Sequence, residues 1–241
     1  MRTLYVDLHN HSCLSPCGDD SMMPALVAGM YKLAGVDVAA LTDHNTTKNC
    51  PAFFEAAKAY GLSPLAGMEL TTAEDIHVIC LFLTCEEAAA FEDEVQKRRV
   101  RIKNRVEIFG NQWIVDADDR IIGEDPDFLP NATTLSLEEA YDLATGMGGV
   151  CYPAHVDRPS NGLIAVLGDV PEKPVYRFAE FNDPANIEPF LERYPKLRDM
   201  QIIYGSDAHR QESIPDGPVF SVEVGDEGTP AEAVFRWLKG G

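Results

Sequence analysis

Thr3-Leu-Tyr-Val-Asp7, Asp37-Val-Ala-Ala-Leu41 and Leu65-Ala-Gly-Met-Glu69 are three apolar runs of strand length, and the segments between them, Pro24–Leu33 and Pro51–Tyr60, carry a helical pattern. This order makes the helices crossovers between parallel strands. Working outward, the rhythm continues through a strand at His77–Leu83 and a helix near Glu86–Gln96. A further helix is opened by Ser136, with Glu139 three residues on as a capping box. Val150–Pro153, Tyr176–Phe181, Gln201–Tyr204 and Val219–Val224 read as strands, closed by a helix from Pro230. About seven or eight strands alternating with helices predict an α/β fold with a parallel barrel, a doubly wound open sheet being the competing architecture.

Residues 97–135 break the rhythm. Trp113-Ile-Val115 and Arg120-Ile-Ile122 flank Asp116-Ala-Asp-Asp119, a hairpin inside an insertion, expected to form a lid or small subdomain within a single domain spanning 1–241. The acidic turn is not a calcium loop, because Ile121 stands where the sixth-position glycine is required and no Glu closes position twelve. Gly146-Met-Gly-Gly149 ends a helix and enters a strand, so it reads as a helix stop, not a phosphate loop.

The chain has 241 residues, 45% of them hydrophobic and 24% charged, the composition of a globular protein large enough to bury a core without disulfides. No apolar run approaches the roughly 20 residues of a spanning helix, and nothing at the N-terminus reads as a secretory signal. A cytoplasmic location and no membrane partner are expected. Six cysteines without a dense pattern read as reduced thiols; Cys13 and Cys17, four apart, do not match C-x-x-C and read as idle. The excess of 39 acidic over 20 basic residues gives −19, from which duplex nucleic acid is not expected as a partner.

All six histidines bear on the site: His9 and His11, His44, His77, His155 and His209. Residues two apart on an extended strand exit point the same way, so His9 and His11 converge on one ion, as Asp207 and His209 can on adjacent ions. His9/His11, His44, Glu69, His155 and Asp207/His209 fall at the C-terminal ends of predicted strands, where parallel sheets assemble their sites; His77 begins its strand instead.

With Asp7-Leu-His-Asn-His11, Thr42-Asp-His44, Gly67-Met-Glu69, His77, Ala154-His155 and Gly205-Ser-Asp-Ala-His209 in this order, the sequence resembles the PHP (polymerase and histidinol phosphatase) superfamily of metal-dependent phosphoesterases. The resemblance spans nearly the whole chain outside the insertion. It implies a distorted (β/α)7 TIM-like barrel and two to three divalent metal ions. One ion would be held by His9, His11, Glu69 and Asp207, and a second by Glu69, His77 and His155. A third would be held by His44, His209 and an acidic residue of the first loop, which Leu14-Ser-Pro-Cys-Gly18 lengthens so that Asp19, or else Asp20, takes that place.

Imidazole and carboxylate donors suit Zn, Mn or Fe. Such ions activate water and neutralise phosphoryl charge, which assigns His9, His11, Glu69, Asp207 and His209 to the reaction centre. Arg158, Asn161, Asn182 and Arg210 follow ligand strands and are candidate phosphate donors, and Lys103 and Arg105 of the insertion can close over the substrate. The expected substrate is a small phosphorylated metabolite, with a nucleotide or short oligonucleotide end favoured and histidinol phosphate the alternative. A non-catalytic metal-binding module is the reading from another class.

Overall fold

The computed structural model describes residues 1–218 and 220–241. In chain order the elements are β1 (Arg2–Asp7), α1 (Pro24–Leu33), β2 (Val38–Leu41), α2 (Cys50–Tyr60), β3 (Ser63–Thr71), β4 (His77–Phe82), α3 (Cys85–Gln96), α4 (Val106–Phe109), β5 (Trp113–Val115), β6 (Ile121–Glu124), α5 (Leu137–Gly146), β7 (Val150–Pro153), α6 (Leu163–Leu167), β8 (Phe178–Phe181), α7 (Ile187–Arg193), β9 (Gln201–Tyr204), β10 (Ser221–Val224) and α8 (Pro230–Lys239). Capping boxes at Thr84/Glu87, Ser136/Glu139 and Thr229/Glu232 open α3, α5 and α8. Val219, expected to begin the last strand, lies outside the described residues.

The main sheet runs β10-β1-β2-β3-β4-β7, and β8 pairs with β9. β1, β2 and β3 are parallel, as the crossover helices dictate. β4 runs antiparallel to both β3 and β7, so the parallel alternation stops there. Residues 72–76 are too few for a crossover, which needs about a dozen, so β3 turns directly into β4. The sheet curls into a half-barrel, and the β8–β9 pair meets it at the exits of β7 and β1. Val156 N donates to Glu180 O at 2.8 Å on one side, and Asp207 N donates to His9 O at 2.9 Å on the other.

Both faces of the sheet are covered, so its strands bury alternate residues in two separate cores. Val78, Cys80 and Phe82 of β4 join Val27, Tyr31 and Phe53 under the helices. Ile79 and Leu81 join Leu4, Val6, Leu65, Tyr152 and Phe178 on the concave side, closed off by Val234 and Leu238 of α8. Each fully buried side chain of this size contributes about 1.5–3 kcal/mol. The concave core fills one end of the half-barrel and leaves the other, where the strand exits gather, to polar residues. Among the described residues no helix is long and apolar enough to cross a membrane.

Residues 97–135 hold α4 and the β5–β6 hairpin. Trp113 N donates to Cys13 O at 3.2 Å and Val115 N to Asn49 Oδ1 at 3.0 Å, which seats the hairpin against the first loop.

Candidate metal centre

Glu69, within β3, is the hub. Its carboxylate oxygens lie within 3.4 Å of a ring nitrogen of five histidines: His77 Nδ1 at 2.7, His44 Nδ1 and His155 Nε2 at 3.0, His11 Nε2 at 3.2 and His9 Nε2 at 3.4 Å. His9 and His11 arrive from the extended exit of β1, His44 from the exit of β2, His77 from the start of β4 and His155 from the exit of β7. Asp207, after β9, approaches from the opposite side, its Oδ1 3.2 Å from His9 Nε2 and 3.1 Å from His11 Nε2. His155 and Asp207 adopt positive φ of 27° and 50°, backbone states that cost a non-glycine residue and that persist where the surroundings enforce them.

Hydrogen bonding alone does not account for this arrangement. His9 Nε2 and His11 Nε2 face each other at 3.2 Å, both directed at Asp207 Oδ1 and each at a different oxygen of Glu69. Glu69 Oε2, Asp207 Oδ1, His44 Nδ1 and His155 Nδ1 are buried without a hydrogen-bond partner among the described residues. Converging, unpartnered nitrogen and oxygen donors are what cations satisfy. Three groups bring one ligand atom each within 4.8 Å of one another: His9, His11, Glu69 and Asp207; His44, Glu69 and His77; and His11, His44 and His209. The first is the set expected for one ion. In the second, His44 takes the place expected of His155, which still contacts Glu69.

A surrounding layer aims the rings. His9 Nδ1 lies 2.7 Å from Glu180 Oε1, which also accepts from His155 N at 3.2 Å. His11 Nδ1 lies 2.9 Å from Ser15 Oγ, which donates to Asp43 Oδ1 at 2.7 Å. Each contact leaves the opposite ring nitrogen facing the centre. Gly205 makes the first possible: a Cβ there would stand 2.7 Å from Glu180 Oε2 and 2.8 Å from His9 Cβ.

In the ion-free protein, burial alone would lower the pKa of His9, but Glu180, Asp207 and Glu69 hold it well above its usual value. Burial likewise opposes His11, but the Asp207 and Glu69 carboxylates beside it bring it to about 9. Burial would raise Glu69, but His77, His44 and His9 hold it well below the carboxylate range. Burial drives His44 down to about 4 and His209, with His11 beside it, to about 3.

The centre forms one wall of a cavity of about 660 Å³ lined by Cys17, His44, Glu69, His77, Asp207 and His209, with Arg158, Asn161, Arg210 and Ser213 at its rim and Ile108, Phe109, Phe128 and Pro130 opposite. Arg158 Nη1 donates to Asp207 Oδ2 across the opening. Asn182 is turned away, its amide donating to Gly205 O and Ser206 O beneath the β9 exit. Lys103 and Arg105 do not line the cavity; Arg105 lies over the Phe109 ring. Asp19 is not brought to the cluster: it is exposed and its Oδ1 accepts from Ser21 N at 2.8 Å, while Asp20 Oδ2 accepts from Asn111 Nδ2. The sequence reading passed over Glu180 and gave Cys17 no role. A carboxylate in the otherwise apolar run Phe178-Ala-Glu-Phe181 was the available signal for Glu180, which the structure buries fully.

Residues 7–97 match the PHP domain family. No curated protein matches the sequence. The fold is similar to the lesion-specific endonuclease Q of Pyrococcus furiosus, at 16% identity and a TM-score of 0.64 over 99% of this chain and 56% of that one. It is similar to endonuclease Q in complex with a 27-mer duplex carrying an abasic lesion, at 16% identity and a TM-score of 0.61 over 99% of this chain and 57% of that one. It is also similar to a Bifidobacterium adolescentis protein ascribed metal-dependent phosphoesterase activity, at 21% identity and a TM-score of 0.61 over 98% and 96% of the two chains. The chain thus spans little more than half the length of endonuclease Q. The exclusion of duplex nucleic acid from the net charge of −19 is corrected by the duplex complex of that similar fold. Net charge sums the whole surface, whereas a duplex meets one face, and a cluster of ions reverses the local sign.

Proposed function

We propose, from the match of residues 7–97 to the PHP domain family, that the chain is a metal-dependent phosphoesterase whose substrate is a phosphate ester of nucleotide type. The observation that supports this reading most is the convergence of five histidines on Glu69, with Asp207 opposite, at the wall of an open cavity. These donors fit Zn, Mn or Fe: His9, His11, Glu69 and Asp207 would hold one ion, and Glu69, His77 and His155 would hold a second. Bound ions there would supply an activated water and neutralise charge on the phosphoryl oxygens.

The protein's own residues do the rest. Arg158 and Arg210 at the rim offer charged donors to phosphoryl oxygens, and Arg158 exchanges its bond to Asp207 for one to the substrate. Phe109 and Phe128, with ring centroids 4.3 Å apart, present an aromatic face across the cavity from the ligands, and a nucleobase stacks on such a face with little regard to sequence. Both belong to residues 97–135, which in this reading are an inserted wall of a single domain, closing over the leaving group. The same face favours a nucleotide over histidinol phosphate.

The test is a phosphate-release and strand-cleavage screen of the purified protein with Mn, Zn and Fe supplied separately. Its substrates are nucleoside phosphates and bisphosphates, short oligonucleotides, an abasic duplex and histidinol phosphate. Turnover of nucleotide-type esters that ends on chelation and returns with a divalent ion is expected. Histidinol phosphate as the preferred substrate would replace the nucleotide reading, and turnover that survives demetallation would overturn the mechanism.

A further inference from the structure

Cys17 is the nucleophilic side chain of the cavity for which the chemistry above has no use. The lengthened loop that carries it is pinned at several points: Cys13 N donates to Met22 O at 2.8 Å, Gly18 N to Ser15 O at 2.8 Å and Asp19 N to His209 O at 2.8 Å. The backbone is tight at Gly18, where a Cβ would meet Ser15 O at 3.1 Å and His209 O at 3.3 Å. This course sends the Asp19 and Asp20 carboxylates outward to Ser21 and Asn111 and sets Cys17 Sγ 3.2 Å from His44 Nε2, over the centre.

A second observation is independent of the thiol. His11, His44 and His209 gather their ring nitrogens within 4.8 Å with no carboxylate in the group. Their ring centroids lie 3.9, 4.6 and 5.8 Å apart. His44 is 4% exposed; its Nδ1 lies 3.0 Å from Glu69 Oε2, which leaves its Nε2 aimed at the Cys17 sulfur. His11 has only its Nε2 facing inward, toward Glu69 and Asp207, so His44 and His209 leave a third ion short of donors, and the sulfur is the side-chain donor the loop places nearest.

We propose that Cys17, as its thiolate, completes a third metal site with His44 and His209, in the place expected of Asp19, the inward nitrogen of His11 being given to the first ion. The inference rests on the metal-dependent reading of the same centre. On binding, the S–H bond breaks, its proton passes to solvent and a sulfur–metal bond forms, with no change of oxidation state. A thiolate is a soft donor, so this site selects zinc or cobalt over manganese, whereas the Glu69–Asp207 site does not discriminate in that way.

The experiment is titration of the ion-free protein with Co(II), followed by near-ultraviolet absorption, metal content and thiol modification, in wild type, Cys17→Ser, Cys17→Asp and Asp19→Asn. Cys17 stands exposed at the cavity mouth, so its substitution leaves the cores untouched. Wild type is expected to develop a thiolate-to-cobalt charge-transfer band and to protect one reactive thiol as cobalt binds. Cys17→Ser should lose the band and one ion while keeping the others. Cys17→Asp should recover the ion without the band and accept manganese there, and Asp19→Asn should behave as wild type. If cobalt binds without the band, or the band persists in Cys17→Ser, the 3.2 Å contact is a thiol–imidazole hydrogen bond only and the proposal fails while the metal centre stands. Loss of an ion in Asp19→Asn but not in Cys17→Ser returns the site to the carboxylate and overturns the proposal. Failure of wild type to bind any ion overturns both.

Discussion

Glu180 Oε1 lies 2.7 Å from His9 Nδ1, both side chains fully buried, on the ring edge opposite the one that faces Glu69 and Asp207. The contact fixes which nitrogen of His9 is offered to an ion and raises its basicity. Glu180→Gln keeps the shape and removes the charge. It should weaken the tightest divalent site by about 10–100-fold, the range for losing such a partner, measured by competition with a chromophoric chelator. Unchanged affinity would show that the strand about Glu180 serves only packing.

Metal affinity should rise with pH. In the ion-free protein the pKa of His11 is raised to about 9, because the Asp207 and Glu69 carboxylates beside it outweigh burial. An imidazole must give up its proton before it can ligate, so below that value ions compete with protons, and binding at pH 7 releases protons. Calorimetry in buffers of different ionisation enthalpy should detect that release, with affinity increasing from pH 6 towards pH 9. A flat profile with no proton release would exclude a protonated centre.

Arg158→Met removes the cation that bonds Asp207 across the cavity mouth. A hydrogen bond to a charged group contributes about 1.5–3 kcal/mol, so kcat/KM for a phosphate ester should fall by about 10–100-fold with metal content unchanged. Metal loss in this variant would instead assign Arg158 to holding Asp207 in place.

Gly205→Ala should cost about 1–3 kcal/mol of stability, because its Cβ overlaps Glu180 and His9, neither of which has room to move. Gly146→Ala, where no atom lies within 4 Å of the added carbon, should be neutral or slightly stabilising. Thermal unfolding of both separates crowding at the centre from a general intolerance of alanine for glycine.

The candidate ligands were legible because His9, His11, His44 and Asp207 follow strands and Glu69 lies near the end of β3, so all take their positions from the local period and from the common end at which these strands finish. Strand direction was less legible. Alternation of apolar residues is the same in parallel and antiparallel strands, and only the short 72–76 connection betrays that β4 runs back along β3. The fate of Asp19 was not legible at all, since which side chain of a lengthened loop turns inward depends on the bonds from Gly18 and Asp19 to Ser15 and His209, residues that fold brings together. Asn182 failed as a phosphate donor for a related reason: its amide is committed to the carbonyls of Gly205 and Ser206.

The most direct test of the account is the metal content and phosphoester turnover of wild type against Glu69→Gln, because Glu69 alone contacts five of the histidines. The account predicts two to three divalent ions per wild-type chain, loss of the bridged ions in the variant, and a fall in kcat/KM of at least about 10³-fold, the scale of removing electrostatic stabilisation from a reaction centre. A Glu69→Gln protein that keeps its ions and its turnover would contradict it.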